Sequence, residues 1–186
     1  MIQKTLEPVS HTEDRTSTPH SSTNKTATIA VIGLGYVGLP LAIRAATRGF
    51  PVIGFDIDTR KIESIRNGDV AYITSEEQTE LVHAKTLTAT ASESKLKEAD
   101  VFIICVPTPV SDGYEPDLTP LEGAARIVAK ALRRGNLVIV ESTVNPGACE
   151  EVVLPILEKS GLKVERDFYL AHCPERINPG DSKWAV

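Results

Sequence analysis

With 186 residues, 41% hydrophobic and 24% charged, the chain has the make-up of one globular domain, and a domain of this size buries roughly 70% of its unfolded surface without staples. A net charge of −5 argues against nucleic acid as a partner, because nucleic-acid binders concentrate Lys and Arg on one face. The three cysteines, Cys105, Cys149 and Cys173, are odd in number and scattered, which excludes a disulfide framework and a paired zinc site; they read as reduced cytosolic thiols, and no metal is expected.

In chain order, residues 1–26 form a polar segment rich in Ser, Thr, Pro and His, expected to be a disordered tail. Glu7, Glu13 and Asp14 spoil the acid-poor character of a transit peptide. No later stretch reaches the length of a membrane span, so neither a membrane nor nucleic acid is an expected partner. From residue 27 to 186, short β-branched runs alternate with helical patterns. The runs are "TIAVIG", "PVIGFDI", "LTATA", "DVFIICV", "NLVIVES" and "DFYLAH". Most are continuously apolar, as central strands buried on both faces must be. The expected fold is α/β: a Rossmann-type doubly wound, mainly parallel sheet with helices on both faces.

The helices carry start and stop signals. In "SEEQTELVHAK", Ser75 and Gln78 are spaced as a capping box. In "LTPLEGAARIVAKALRRGN", Thr119 is the expected cap, Pro120 the first helical residue, Glu122 the box partner and Gly135 the left-handed stop. Leu121, Ala124, Ala125, Val128 and Leu132 then fall on one stripe. Pro155 interrupts the pattern "GACEEVVLPILEKSG", which predicts a kink or a late start.

The segment "AVIGLGYVGLPLAIRAATRGFPVIGFDID" carries the pattern of a dinucleotide site. Its first glycine ends a strand, a helix starts inside the motif, and Asp56 closes the next strand about 20 residues on. The three glycines serve different ends. Gly33 makes the tight turn, Gly35 lets backbone approach a pyrophosphate, and Gly38 lets helix and strand pack closely. Asp56 favours NAD over NADP, since a carboxylate accepts from a free ribose and repels a 2'-phosphate. Arg60 and Lys61 weigh against this if they swing towards such a phosphate; otherwise they are solvated residues of the next helix. "CVPTP" and "ESTVNPG" follow the fourth and fifth strands and reach the same crevice. There Pro107 stops ladder pairing, leaving the Thr108, Ser142 and Thr143 hydroxyls free for cofactor or substrate.

The ordered succession "GLGYVGLP", "FDID", "VPTP", "ESTVNPG" and "CPERINPG" resembles the UDP-glucose/GDP-mannose dehydrogenase family. Its members oxidise the C6 alcohol of a nucleotide sugar to a carboxylate with two NAD, through an aldehyde and an enzyme thioester. The resemblance implies that Tyr36, Val37, Asp56, Lys61, Thr108 and Thr143 touch NAD, and that Glu175 helps activate the water that hydrolyses the thioester; Thr143 is a second catalytic candidate. It also implies that Glu175 and Arg176 meet the sugar. A Pro-Glu-Arg sequence followed by Pro-Gly resembles the branch acting on UDP-N-acetylhexosamines. The family's thiol lies in a glycine-rich segment beyond residue 186, so this chain alone is expected to be inactive, a truncated frame or a fragment. A homodimer is expected only of a full-length chain. The rival readings are an NAD-binding or interaction module without chemistry, and a β-hydroxyacid dehydrogenase, which leaves "CPERINPG" unexplained. Cys105, Cys149 and Cys173 read as small apolar residues, and His172 as a hydrogen-bonded strand end.

Overall fold

The computed structural model describes residues 26–110, 113 and 115–174. Six strands form one sheet: β1 (Ile29–Ile32), β2 (Val52–Phe55), β3 (Leu87–Thr90), β4 (Val101–Ile104), β5 (Leu137–Val140) and β6 (Tyr169–His172). Their order is β3-β2-β1-β4-β5-β6, and every neighbouring pair is parallel. All six expected strands are present.

Helices cover both faces, as continuous apolar strands require. On one face lie α1 (Gly38–Thr47), α2 (Thr59–Asn67) and α3 (Ser75–His83), and Leu39, Ile43, Ile62 and Ile65 pack there with Val31 and Val52. On the other lie α4 (Thr119–Ala131) and α5 (Leu154–Leu157). There Leu121, Ala125, Val128 and Leu157 meet Ala30, Ile32, Phe102 and Val138. Successive residues of β1 thus serve opposite cores, which is the strand's period of two at work. The chain changes face between β1 and β4, and ligands of open parallel sheets bind at such a switch point, outside the strands' carboxyl ends.

Three local expectations shift by a residue or a form. The box at α3 is Thr74 with Glu77, not Ser75 with Gln78; Thr74 has the extended backbone that a cap needs. Gln78 instead donates to the Gly68 carbonyl. At α4 Thr119 is the first helical residue, and its N–H donates to the Asp117 carboxylate at 2.9 Å. Gly135 does take a left-handed φ of +86°, but in the turn into β5, after α4 has already ended at an extended Leu132. The stripe on α4 holds, with Ala131 buried and Leu132 only partly so. Around Pro155 the chain makes a wide π-helical turn, Cys149–Val153, before α5. That wider turn moves the carbonyl ladder off the register where a proline ring clashes and its missing N–H is needed.

Candidate cofactor site

Five segments meet at the carboxyl edge of the sheet. The Gly33 N–H donates to the Phe55 carbonyl, the Cys105 N–H to Ile32, and the Glu141 and Ser142 N–H groups to Ile104, so each loop leaves its strand at the same level as its neighbour. Between them lies a cleft of about 400 Å³. Of the residues expected to hold a cofactor, Gly33, Gly35, Tyr36, Val37, Asp56, Lys61, Pro107, Thr108, Ser142 and Thr143 all line it.

The three glycines differ in what surrounds them. Gly33 has φ +94°, and a Cβ there would lie 2.7 Å from the Cys105 carbonyl oxygen. On Gly38 a Cβ would lie 1.9 Å from the Gly33 carbonyl oxygen, so α1 and the loop touch backbone to backbone. A Cβ on Gly35 meets nothing within 4 Å, so no protein atom requires a glycine there. The loop backbone at Gly35 is thus open to the cleft it lines. Helix α1 also begins without a side-chain cap and without an acidic residue in its first turn, whereas α2 and α3 are capped by Asp58 and Thr74. A helix end left in this state suits an anion.

Asp56 is 6% exposed and already has partners within the protein. Its carboxylate accepts from the Leu34 N–H at 2.9 Å, the Asp58 N–H at 3.0 Å and the Lys61 ammonium at 2.6 Å. Lys61 is therefore a partner of Asp56 rather than a solvated cation, while Arg60, which is largely exposed, pairs with Asp58. That pairing holds the Asp58 carboxyl below its ordinary range and raises the Arg60 guanidinium above its own. Beside Asp56 a second slot of about 530 Å³ runs between Ile57 and α4, lined by Phe55, Pro107, Pro120, Gly123 and Ile127. Its largely apolar lining suits an aromatic ring.

The hydroxyls depart from expectation. The Ser142 hydroxyl donates to the Val106 carbonyl at 2.7 Å, and that of Thr108 to the Thr143 carbonyl at 2.7 Å. Both donors lock the β4 and β5 loops together, leaving oxygen lone pairs rather than protons for a ligand. Thr143 is exposed at the rim. Glu175 and Arg176 lie outside the described residues.

Sequence reasoning passed over Glu141, Cys105 and Tyr72 as residues of the site. Glu141 and Cys105 line the cleft, and the Cys105 thiol lies 3.4 Å from a Glu141 carboxylate oxygen. Both stand directly after the last residue of a strand, a position that was the available signal. Cys105 is thus at the end of β4 rather than within it. Tyr72 donates its hydroxyl to the Leu34 carbonyl at 2.6 Å and meets Tyr36 edge to face, with ring centroids 5.5 Å apart. Burial, with the Asp56 charge and Tyr36 adding to it, pushes its phenol up to about 12. No local pattern announces a partner 38 residues away. Cys149 is buried, and desolvation pushes its thiol up, as a small apolar residue behaves. His172 is the last residue of β6, paired with Val140, and both it and Cys173 are exposed, so Cys173 is not the small apolar core residue expected. Among the described residues no helix is long and apolar enough to cross a membrane.

The comparisons with known proteins fit this geometry. Residues 27–183 match the UDP-glucose/GDP-mannose dehydrogenase family, NAD binding domain. The chain is 48% identical over 157 residues to the UDP-N-acetyl-D-glucosamine 6-dehydrogenase of Salmonella typhi, a match covering 83% of this chain and 36% of that protein. Its fold superposes on the UDP-D-ManNAc dehydrogenase structure from Pyrococcus horikoshii with a TM-score of 0.78 at 46% identity, covering 82% of this chain and 37% of the other. A ternary complex of GDP-mannose dehydrogenase from Pseudomonas aeruginosa gives 0.77 at 33% identity, covering 81% and 36%. The chain spans a little over a third of the length of these relatives. Glycine loop, buried aspartate and sheet order agree with the family match over most of the sequence, and the chain belongs to the UDP-glucose/GDP-mannose dehydrogenase family, of which it carries the NAD-binding domain.

Proposed function

We propose that this chain is the cofactor-binding part of a nucleotide-sugar 6-dehydrogenase that oxidises the C6 alcohol of a UDP-N-acetylhexosamine to the acid. The observation that carries the reading is the cleft in which the glycine loop, Asp56 and the loops after β4 and β5 converge. The α1 end and Gly35 receive the pyrophosphate, Asp56 and Lys61 the adenosine ribose, and the slot beside Ile57 the adenine. Bound there, NAD supplies the hydride acceptor. The substrate class is supported by relatives such as the Salmonella typhi enzyme and by the "CPERINPG" segment, where Arg176 offers a planar donor fork to sugar carbonyl or hydroxyl oxygens. Glu175 is the proposed base for water activation, and Thr143 a second proposed catalytic residue.

Calorimetric titration of the chain with NAD and NADP tests the cofactor side. NAD is expected to bind at least about tenfold tighter, since the 2'-phosphate of NADP meets the Asp56 carboxylate. Asp56→Ala is expected to cost NAD binding about 1–3 kcal/mol and to lower the melting temperature as well, because the Leu34 and Asp58 N–H groups lose their acceptor. Equal or tighter binding of NADP would remove Asp56 from its assigned role. A folded chain that binds neither would overturn the reading.

A further inference from the structure

Tyr72 does not line the cleft. It stands on the connection between α2 and α3, and its hydroxyl donates to the Leu34 carbonyl at 2.6 Å, across 38 residues of chain. Leu34 is fully buried, and its own N–H donates to the Asp56 carboxylate at 2.9 Å. The peptide unit on each side of Leu34 is therefore held by a side chain, the one before it by Asp56 and the one after it by Tyr72. The second is the Leu34–Gly35 peptide, which faces the ligand side of the loop. In a planar trans peptide the carbonyl and the next N–H point in opposite directions. With the Leu34 carbonyl turned to Tyr72, the Gly35 N–H is turned away from it. Among the described residues none accepts from the Gly35, Tyr36 or Val37 N–H, and all three residues line the cleft. The Tyr72 ring also meets the Tyr36 ring edge to face, so one residue braces the loop at two points.

We infer that Tyr72 is a positioning residue of the cofactor site, holding the Leu34–Gly35 peptide so that the N–H groups of the loop are aimed at the pyrophosphate before it arrives. This rests on the NAD reading above and deepens it. The hydroxyl suits the task. Burial, with the Asp56 charge and Tyr36 adding to it, pushes the phenol up to about 12, so it remains a donor throughout the neutral range. A hydrogen bond from an N–H to a phosphate is charge-assisted and about twice as strong as a neutral one. A peptide left free to rotate gives part of that strength back, because binding must then also order it. Tyr72 removes this cost in advance, from a segment that never touches the ligand.

The experiment is titration of the 186-residue chain and of Tyr72→Phe with NAD, ADP-ribose and adenosine, of which the first two carry the pyrophosphate and the last does not. Tyr72→Phe keeps the ring against Tyr36 and removes the donor. Tyr72→Met, an adaptable apolar side chain without a donor, is run beside it, so that the test stands if either variant fails to fold. Thr86→Val is the control for stability, since it deletes a hydroxyl that donates to the Ala46 and Phe50 carbonyls away from the cleft. The expected result is a loss of about fivefold to tenfold in NAD and ADP-ribose affinity in the Tyr72 variants, with adenosine affinity unchanged. Thr86→Val is expected to melt earlier and to bind all three ligands as the wild type does. A merely structural role for Tyr72 would lower the three affinities together or leave all of them alone. Wild-type affinity for NAD and ADP-ribose in a folded Tyr72 variant overturns this inference and leaves the NAD site standing, and so does an equal loss for adenosine. Failure of the folded wild-type chain to bind any of the three overturns both.

Discussion

The glycines of one loop separate binding from folding at the level of single atoms. Gly38 faces backbone: a methyl group there would have to push α1 away from the Gly33 carbonyl, and backbone cannot rotate aside as a long side chain can. Gly35 faces the open cleft. Gly35→Ala is therefore expected to keep the wild-type melting temperature and to weaken NAD at least about tenfold, since the methyl group displaces a close phosphate contact. Gly38→Ala is expected to lose on the order of 1–3 kcal/mol of stability, the usual cost of overpacking a tight contact. Thermal melts and calorimetry on the two variants read both quantities. Unimpaired NAD affinity in Gly35→Ala would show that no ligand approaches that backbone. The turn at Gly33 and the close packing at Gly38 were legible in the sequence because each demands a glycine at a fixed place. The Ser142 and Thr108 hydroxyls were legible as being at the edge, but not in their partners. Sequence spacing says where a hydroxyl is, and only the fold says which carbonyl sits 2.7 Å away.

Elements carry the next level of specification. The four central strands β1, β2, β4 and β5 could be read because each is apolar on both faces, whereas β3 and β6 at the edges are mixed. The cap of α3 slipped because Ser75 and Thr74 are equally competent by residue type and local backbone chose between them, while at α4 the cap position is Leu118, with no side-chain cap, and Asp117 before it accepts from the Thr119 N–H. The link from the α2–α3 connection to the glycine loop was not readable at all. There Tyr72 spans the gap, holding the Leu34 carbonyl at 2.6 Å while Leu34 also donates to Asp56. The loop is thus held from two sides. Removing the hydroxyl in Tyr72→Phe is expected to cost about 0.5–1.5 kcal/mol at neutral pH. The phenol gives a further signature. Folded Tyr72 stays protonated to about 12, whereas the unfolded chain ionises near the ordinary value of about 10. Its contribution to stability is fully present below pH 10 and is lost as pH rises from there towards 12. Denaturant unfolding of wild type and Tyr72→Phe across pH 9 to 12 checks this. A parallel fall in both proteins would show that Tyr72 is not its source.

At the scale of the whole molecule, the question is what chemistry these residues perform alone. Relatives in the family are more than twice as long as the matched segment, and the family's oxidation to an acid passes through a thioester, which needs a positioned thiolate. The three thiols here occupy other roles. Cys149 is buried with its thiol pushed up, away from the thiolate. Cys105 lies under the glycine loop with its thiol directed at the Glu141 carboxylate. Cys173 follows β6 in the open, where water surrounds it. The purified 186-residue chain is therefore expected to produce no sustained NADH from NAD with either UDP-N-acetylglucosamine or UDP-glucose, although it binds NAD. Joined to the remaining length of a relative such as the Salmonella typhi enzyme, the same segment is expected to support turnover with a higher kcat/KM for the N-acetylated sugar. Absorbance at the NADH band, followed over many turnovers with both proteins and both sugars, reads the two expectations together. Sustained NADH from the short chain would show that one of its own thiols completes the reaction. A preference for UDP-glucose in the longer one would refute the part given to Arg176 and leave the cofactor site as derived.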